Sequence, residues 1–161
     1  MENINIENWQ GQFDEILDSY GHRNWILITD KAFPKQSSQG MKYINTYCDL
    51  PNVLEYVIEE LSDSLHVKPV IYTDKELAYI TEEQAEGVDE LRNDMSIILK
   101  DYDVETLLHD DVFKKLDESS SLFETLVLKT NCTVPYSSVF IFLDCAYWTD
   151  ENEKALREVV E

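Results

Sequence analysis

The stretch GHRNWILITDKAFP at residues 21–34 decides the fold of this chain, because it sets an apolar run between two polar ends. Its central residues, 25–29, are mostly apolar or β-branched, which predicts a buried strand too short to be a core helix. Since a strand rises about 3.3 Å per residue, His22 and Asp30 are expected near opposite ends of it. Ligands of open parallel sheets bind beyond the carboxyl ends of the strands, which favours Asp30 and its loop as site material.

The segments on both sides of this strand alternate between helical and extended patterns. Thr81 and Gln84 resemble a capping box that opens a long helix, Asp49 or its neighbour caps an earlier one, and Asp150 caps an acidic final helix over 150–161. Strands interleaved with helices predict an α/β fold, a single domain over 1–161 with a largely parallel sheet flanked by helices. Predicted helices cover 8–20, 51–61, 81–100 and 110–120, and predicted strands cover 41–47, 67–72, 104–108, 125–130 and 139–143.

Composition narrows the class of protein. The 161 residues are 43% hydrophobic, enough to bury a core without disulfides, and the three cysteines form no CxxC pair. A net charge of −20 argues against nucleic-acid backbones and anionic membranes as partners. No apolar run approaches the ~18 residues of a membrane span, and the first ten residues lack the pattern of a signal peptide. We therefore expect a cytoplasmic protein with free thiols.

The common catalytic and cofactor motifs are missing from the sequence. The three histidines form no HExxH motif, and there is no GxGxxG, no phosphate-binding Walker loop and no GxSxG. These absences disfavour nucleotide cofactors and serine nucleophiles of the common types. They leave cofactor-free chemistry or simple binding as the expected functions.

Each histidine has an ordinary structural explanation as well as a functional one. His22 follows Gly21 at a predicted helix end, where a histidine can satisfy terminal carbonyls and favour the helix dipole. His109 can cap the helix that follows it, and His66 lies in a turn as a surface or packing residue. From position alone, the structural role of His22 is favoured over catalysis.

The remaining polar candidates are equally unspecific when taken one at a time. Asp30 can be a turn residue, Tyr136 a half-buried aromatic, and Lys114 a solvated helix residue. One acidic cluster is expected to be a hydrated face; it consists of Asp74, Glu76, Glu82, Glu83 and Glu86.

A family resemblance favours the functional explanation of these residues over the structural one. Residues 21–34 resemble the signature of the RbsD/FucU family of sugar pyranases and mutarotases, in which a Gly-His pair precedes a strand ending in Asp, with a Pro soon after. Three further segments resemble the family in the same order: VLEYVIEEL at 53–61, HDDVFKKL at 109–116 and CTVPYSSVFIFLDC at 132–145. The resemblance covers most of residues 8–148 and leaves the acidic C-terminal helix outside it.

The resemblance implies an enzyme that interconverts ring forms or anomers of ribose- or fucose-like monosaccharides, without metal or organic cofactor. His22 matches the family's catalytic histidine, Asp30 its site aspartate and Tyr136 its pocket tyrosine. Opening a hemiacetal needs one proton removed from the anomeric hydroxyl and one delivered to the ring oxygen, and histidine can do either near neutral pH. Asp30 can orient the imidazole or bind a hydroxyl, and Tyr136 can donate or relay a proton.

Three residues match the family's sugar-binding positions less cleanly. His109 and Lys114 resemble a histidine and a basic residue of the sugar pocket, but their spacing is one residue longer than in ribose-type members. Ser138 stands where those members carry asparagine, which shortens a hydrogen-bonding arm. Because of these departures, a non-catalytic monosaccharide-binding or sensor protein stays as the alternative function. An enzyme acting on another polyol or sugar derivative is a third candidate function.

The resemblance also implies a ring of identical subunits, a pentamer or a decamer of stacked pentamers. Pockets of the family lie across the subunit boundary. His22 of one subunit is therefore expected to meet the Tyr136 loop of its neighbour, which accounts for the distance between His22 and Asp30.

Overall fold

A computed structural model describes residues 7–37, 40–120 and 122–161 of the chain. No helix within these ranges is long and apolar enough to span a membrane. The helices are α1 (Glu7–Ser19), α2 (Leu50–Asp63), α3 (Val88–Ile98), α4 (His109–Ser120) and α5 (Asp150–Val160), with a short 3-10 helix at Lys75–Tyr79. The strands are β1 (Trp25–Thr29), β2 (Met41–Asn45), β3 (Val67–Asp74), β4 (Val104–Leu107), β5 (Thr125–Lys129) and β6 (Val139–Cys145).

The six strands form one sheet in the order β2-β5-β1-β6-β3-β4. β1 pairs in parallel with β5, which pairs in parallel with β2, and β3 pairs in parallel with β4. β6 runs antiparallel between β1 and β3, so the other five strands all point the same way. The expected α/β fold with a largely parallel sheet is confirmed.

Alternation along β1 divides the core between the two faces of the sheet. Ile26 and Ile28 face the helices α1, α2 and α3, where they join a cluster that includes Phe13. Leu27 faces α4 and packs in a second cluster with Leu116. All five residues of β1 are buried, as a strand covered on both faces requires.

The start of α3 differs from the sequence-based prediction. Thr81 and Gln84 do form reciprocal bonds, at 3.0 and 3.2 Å, but only one turn follows them. Gly87 then adopts φ +90°, a left-handed conformation that ends the turn, and α3 begins at Val88. The predicted continuous helix over 81–100 is therefore wrong.

The other two predicted caps have different outcomes. The carboxylate of Asp49 accepts a hydrogen bond from the backbone N–H of Asn52 at 3.0 Å, so the predicted cap of α2 is confirmed. Thr149, and not Asp150, caps α5 through its hydroxyl, which accepts from the N–H of Asn152 at 3.0 Å. Threonine caps a helix well because it reaches the free N–H groups of the first turn.

The strand directions create two chemically distinct edges of the sheet. At the edge that we call the carboxyl edge, β1 and β3 end, at Thr29 and Asp74, and β6 begins, at Val139. At the opposite edge, which we call the amino edge, β1 begins and β6 ends. His22 therefore lies at the amino edge, whereas Asp30 lies at the carboxyl edge.

Candidate active site

A cavity of about 370 Å³ opens at the carboxyl edge of the sheet. Its wall is built by the loop after β1, the start of α4 and the loop before β6. Four of the six predicted site residues line it, together with aromatic side chains. The polar members are Asp30, His109, Tyr136 and Ser138, and the aromatic neighbours are Phe33 and Phe113.

His109 is held by two carboxylates that come from the end of β3 and the 3-10 helix after it. Its ring nitrogen Nδ1 lies 2.7 Å from Oδ2 of Asp74, whose side chain is 0% exposed. Its backbone N–H donates to both carboxylate oxygens of Glu76, at 2.9 and 3.1 Å. A carboxylate at the first residue of α4 also interacts favourably with the helix dipole. The position and the orientation of His109 are thus both fixed.

Aromatic rings surround the imidazole of His109. The ring of Phe113 lies 4.6 Å from that of His109, and the ring of Phe140 lies 6.3 Å away. The phenol ring of Tyr136 lies 5.4 Å away at an angle of 89°. His109 and Tyr136, two side chains that can transfer protons, therefore meet at one point of the cavity.

Burial raises the pKa of both aspartates at this edge. It raises the pKa of Asp74 to about 6, although the hydrogen bond and the charge of His109 act in the opposite direction. Burial also raises the pKa of Asp30, against a backbone hydrogen bond and the charges of His109 and Lys129. Carboxyl groups that lie in a cleft and have a pKa raised towards neutral pH are typical of functional sites.

The loop before β6 holds Tyr136 in an unusual backbone conformation. Its φ of 59° lies in the left-handed region, which costs a residue with a side chain about 1–3 kcal/mol. The buried hydroxyl of Ser137 anchors the loop by donating to the carbonyl of Val134 at 2.7 Å. The Tyr136 residue is 43% exposed, so the loop presents it at the mouth of the cavity.

His22 lies at the amino edge, separated from Asp30 by the length of β1, about 16 Å. Its Nδ1 is 3.2 Å from Oδ1 of Asp144, and its ring packs against Phe142 with the centroids 5.8 Å apart. The side chain is 47% exposed. Within one chain, the structure does not bring His22 to the cavity.

His66 has the helix-ending role that sequence reasoning offered for His22. Its Nε2 lies 3.1 Å from the carbonyl of Leu17 and 2.9 Å from that of Tyr20, where α1 ends. Its Nδ1 lies 3.1 Å from the hydroxyl of Ser64, which orients the ring. The explanation of His22 as the residue that satisfies these carbonyls is therefore wrong.

Lys114, the last of the predicted site residues, is exposed on α4 and is not among the residues that line the cavity. Within one chain, the structure therefore places Lys114 outside this cavity.

Sequence reasoning missed Asp74 and Glu76, which it assigned to a hydrated acidic face. That assignment is wrong for Asp74, which is buried, and for Glu76, which binds the start of α4, while Glu83 and Glu86 are exposed as expected. A signal was present: Asp74 lies at the carboxyl end of β3, just after the predicted strand 67–72, much as Asp30 follows β1. Residues at that position lie at the carboxyl edge.

A larger cavity of about 590 Å³ lies between the 3-10 helix and α3. Its walls are mainly apolar, with Leu77, Met95 and Leu99 among them, and it contains none of the six predicted site residues. Volume alone does not identify a site, and the convergence of proton-transferring groups favours the smaller cavity. Within the described ranges, no three histidine, cysteine or acidic side chains are grouped so that they could hold a metal ion.

Comparison with known proteins shows the fold. No protein-family model matches the sequence, and no curated protein is significantly similar to it. Among solved structures, RbsD of Bacillus subtilis complexed with D-ribose is 16% identical and superposes with a TM-score of 0.59, over 89% of this chain and 95% of that one.

Two further structures are similar. FucU from Bifidobacterium longum is 10% identical with a TM-score of 0.58, over 83% of this chain and 94% of that one. The fucose mutarotase from Streptococcus pneumoniae in complex with L-fucose is 14% identical with a TM-score of 0.54, over 81% and 89%. The chain therefore has the RbsD/FucU fold.

Proposed function

We propose that this protein is a monosaccharide mutarotase or pyranase, which interconverts the anomers or ring forms of a ribose- or fucose-like sugar in the cytoplasm without a cofactor. The observation that carries the proposal is the convergence of Asp30, His109, Tyr136 and Ser138 on one cavity at the carboxyl edge. The shared fold supports it, since structures with this fold hold D-ribose and L-fucose.

The cavity suits a small polar ligand with one apolar face. Its volume of about 370 Å³ lies near the lower end of the range for ligand pockets, about 300–1,000 Å³. Phe33 and Phe113 can pack against the carbon-bound hydrogens of a sugar ring, while Asp30 and Ser138 can bind hydroxyls. A monosaccharide combines these two kinds of surface.

The required chemistry is modest. Sugars already mutarotate in water, so positioning and general acid–base catalysis worth a few kcal/mol are sufficient. One group removes the proton of the anomeric hydroxyl while another protonates the ring oxygen, and the steps reverse after rotation about the C1–C2 bond. His109 and Tyr136, with ring centroids 5.4 Å apart, are the groups that one chain contributes.

We also propose that His22 completes the site from a neighbouring subunit, in a ring of five subunits or two stacked rings. Two observations support this assignment. His22 is half exposed and oriented by Asp144, at the edge opposite the cavity of its own chain. Tyr136 is 43% exposed, so a neighbour can reach it. Lys114, exposed on α4, is proposed to bind the sugar at the same boundary.

Saturation-transfer NMR of anomeric protons tests the function. We expect faster exchange for at least one sugar in a panel of aldoses and deoxyaldoses that includes ribose and fucose, and a loss of about 100-fold in His22→Ala. Asp101→Asn, which removes an exposed carboxylate that is not among the residues lining the cavity, is the control and should match the wild type. No acceleration for any sugar would refute the function, and full activity of His22→Ala would refute the role of His22.

A non-catalytic sugar-binding or sensor protein is the second candidate. The observation in its favour is that the cavity of one chain lacks His22, while Ser138 offers a shorter arm than asparagine. Calorimetry distinguishes the two functions. Sugar binding without accelerated exchange would favour the sensor, whereas rapid exchange would exclude it.

A further inference from the structure

Asp74 lies in the wall of the 590 Å³ cavity, and among the described residues His109 is the member of the candidate site to which its carboxylate is hydrogen-bonded. Its side chain is fully buried, it is not among the residues that line the 370 Å³ cavity, and its Oδ2 lies 2.7 Å from Nδ1 of His109. Its other oxygen, Oδ1, is buried without a hydrogen-bond partner among the described residues. Burying a carboxylate is costly, and a buried acid directed at the side chain of a cavity residue indicates a functional constraint.

We infer that Asp74 is a positioning residue that holds the His109 imidazole with its proton on Nδ1, so that Nε2 faces the sugar as a proton acceptor. The inference rests on the proposed function and extends it. It assigns the acid–base role within one chain to the pair of His109 and Asp74, in addition to the residue that a neighbouring subunit contributes.

The geometry permits only a narrow range of ring orientations. Glu76 binds the backbone N–H of His109, Phe113 packs at 4.6 Å from the imidazole, and Asp74 engages Nδ1. Because a neutral imidazole carries one proton, an ionised acceptor at Nδ1 places that proton there and leaves a lone pair on Nε2. The nitrogen that remains for the ligand is then a base.

The protons of the step balance with two groups of one chain, His109 and Tyr136. Nε2 takes the proton of the anomeric hydroxyl, the C1=O bond forms, and the bond between C1 and the ring oxygen breaks. The ring oxygen takes a proton from the hydroxyl of Tyr136, and both transfers reverse when the ring closes on the other face. Asp74 stabilises the transient imidazolium and keeps its own charge throughout.

Nitrogen-15 NMR of the imidazoles together with exchange kinetics tests this role. In the ligand-free protein, we expect the neutral imidazole of wild-type His109 to carry its proton on Nδ1. In Asp74→Asn the side-chain amide can donate to Nδ1, so the proton should move to Nε2. The His109 resonance is assigned by its absence from the spectrum of His109→Gln. The charge-matched control is Asp101→Asn, which removes a carboxylate on the exposed surface.

We expect kcat of Asp74→Asn to fall by about 10- to 100-fold while KM changes by less than about 3-fold. A variant with kcat within about 2-fold of the wild type would overturn the inference. If Asp74→Asn does not fold, the wild-type spectrum still decides, because a wild-type His109 with its proton on Nε2 overturns the inference as well.

The outcomes separate this inference from the proposed function. Absence of sugar exchange in the wild type refutes the function, whereas the imidazole spectrum of the ligand-free protein still tests the pair. Exchange that is insensitive to Asp74→Asn refutes the pair and leaves the function intact.

Discussion

The carboxyl of Asp74 differs from the other acidic residues of its segment in what surrounds it. Glu83 and Glu86 are exposed, whereas Asp74 is buried against His109. The removal of water disfavours the charged form of a carboxyl, which is why the pKa of Asp74 rises to about 6 from 3.8. Acidic residues of one segment therefore differ in chemistry because the fold buries one of them and exposes the others.

This raised pKa predicts a pH-dependent difference between the wild type and Asp74→Asn. The native state holds the proton of Asp74 more tightly than the unfolded state, so the stabilisation is complete below pH 3.8 and is lost as the pH rises through about 6. We expect the wild type to lose up to about 3 kcal/mol relative to the variant over this window. Urea unfolding at several pH values measures it, and parallel stability curves for the two proteins would contradict the prediction.

Two glycines, one in a turn and one in a helix, differ in backbone conformation. Gly87 ends the turn before α3 with φ +90°, and Gly11 lies within α1. A Cβ at either position would meet no atom within 4 Å, so the two sites differ in backbone conformation and not in available space. This makes them a matched pair for measuring the contribution of the left-handed turn.

We predict opposite effects for alanine at these two glycines. Gly87→Ala should lower the free energy of unfolding by about 1 kcal/mol, since a side chain disfavours the left-handed region. Gly11→Ala should raise it by about 0.5–1 kcal/mol, because alanine loses less entropy than glycine in a helix. Chemical denaturation of both variants provides the check, and an equal effect at the two sites would show that the turn at Gly87 is not strained by a side chain.

In the whole molecule, the two groups of candidate residues lie at opposite ends of the strands, separated by about the length of β1. Asp30, His109 and Tyr136 lie at the carboxyl edge, and His22 lies with Asp144 at the amino edge. A single chain cannot use both groups on one sugar. Subunits arranged head to tail in a closed ring would juxtapose the two edges at every boundary.

Subunit complementation tests this arrangement. Rings assembled from a mixture of His22→Ala and Asp30→Asn chains should regain about a quarter of the wild-type activity, because random mixing places intact His22 beside intact Asp30 at that share of boundaries. Each variant alone is the control and should keep only residual activity. Light scattering must show an oligomer at micromolar concentration, and a monomer, or a mixture no more active than its parts, would exclude the shared site.

Local patterns in the sequence determined the elements of this protein. The apolar run of β1, the cap at Asp49 and the alternation of strands with helices depend on residues close together in the chain, and these predictions hold. The position of Asp30 directly after a predicted parallel strand also indicated that it lies at the carboxyl edge, as it does.

Only the tertiary structure decided which side chains meet. Asp74 and His109 are 35 positions apart in the chain, and His66 is 46 positions from the carbonyl of Tyr20 that it contacts. Such pairs form because helices and strands pack in three dimensions. The periodicity of hydrophobic residues in the sequence does not predict them. Burial, which turns Asp74 from a surface charge into the partner of a cavity histidine, is likewise a property of the packed fold.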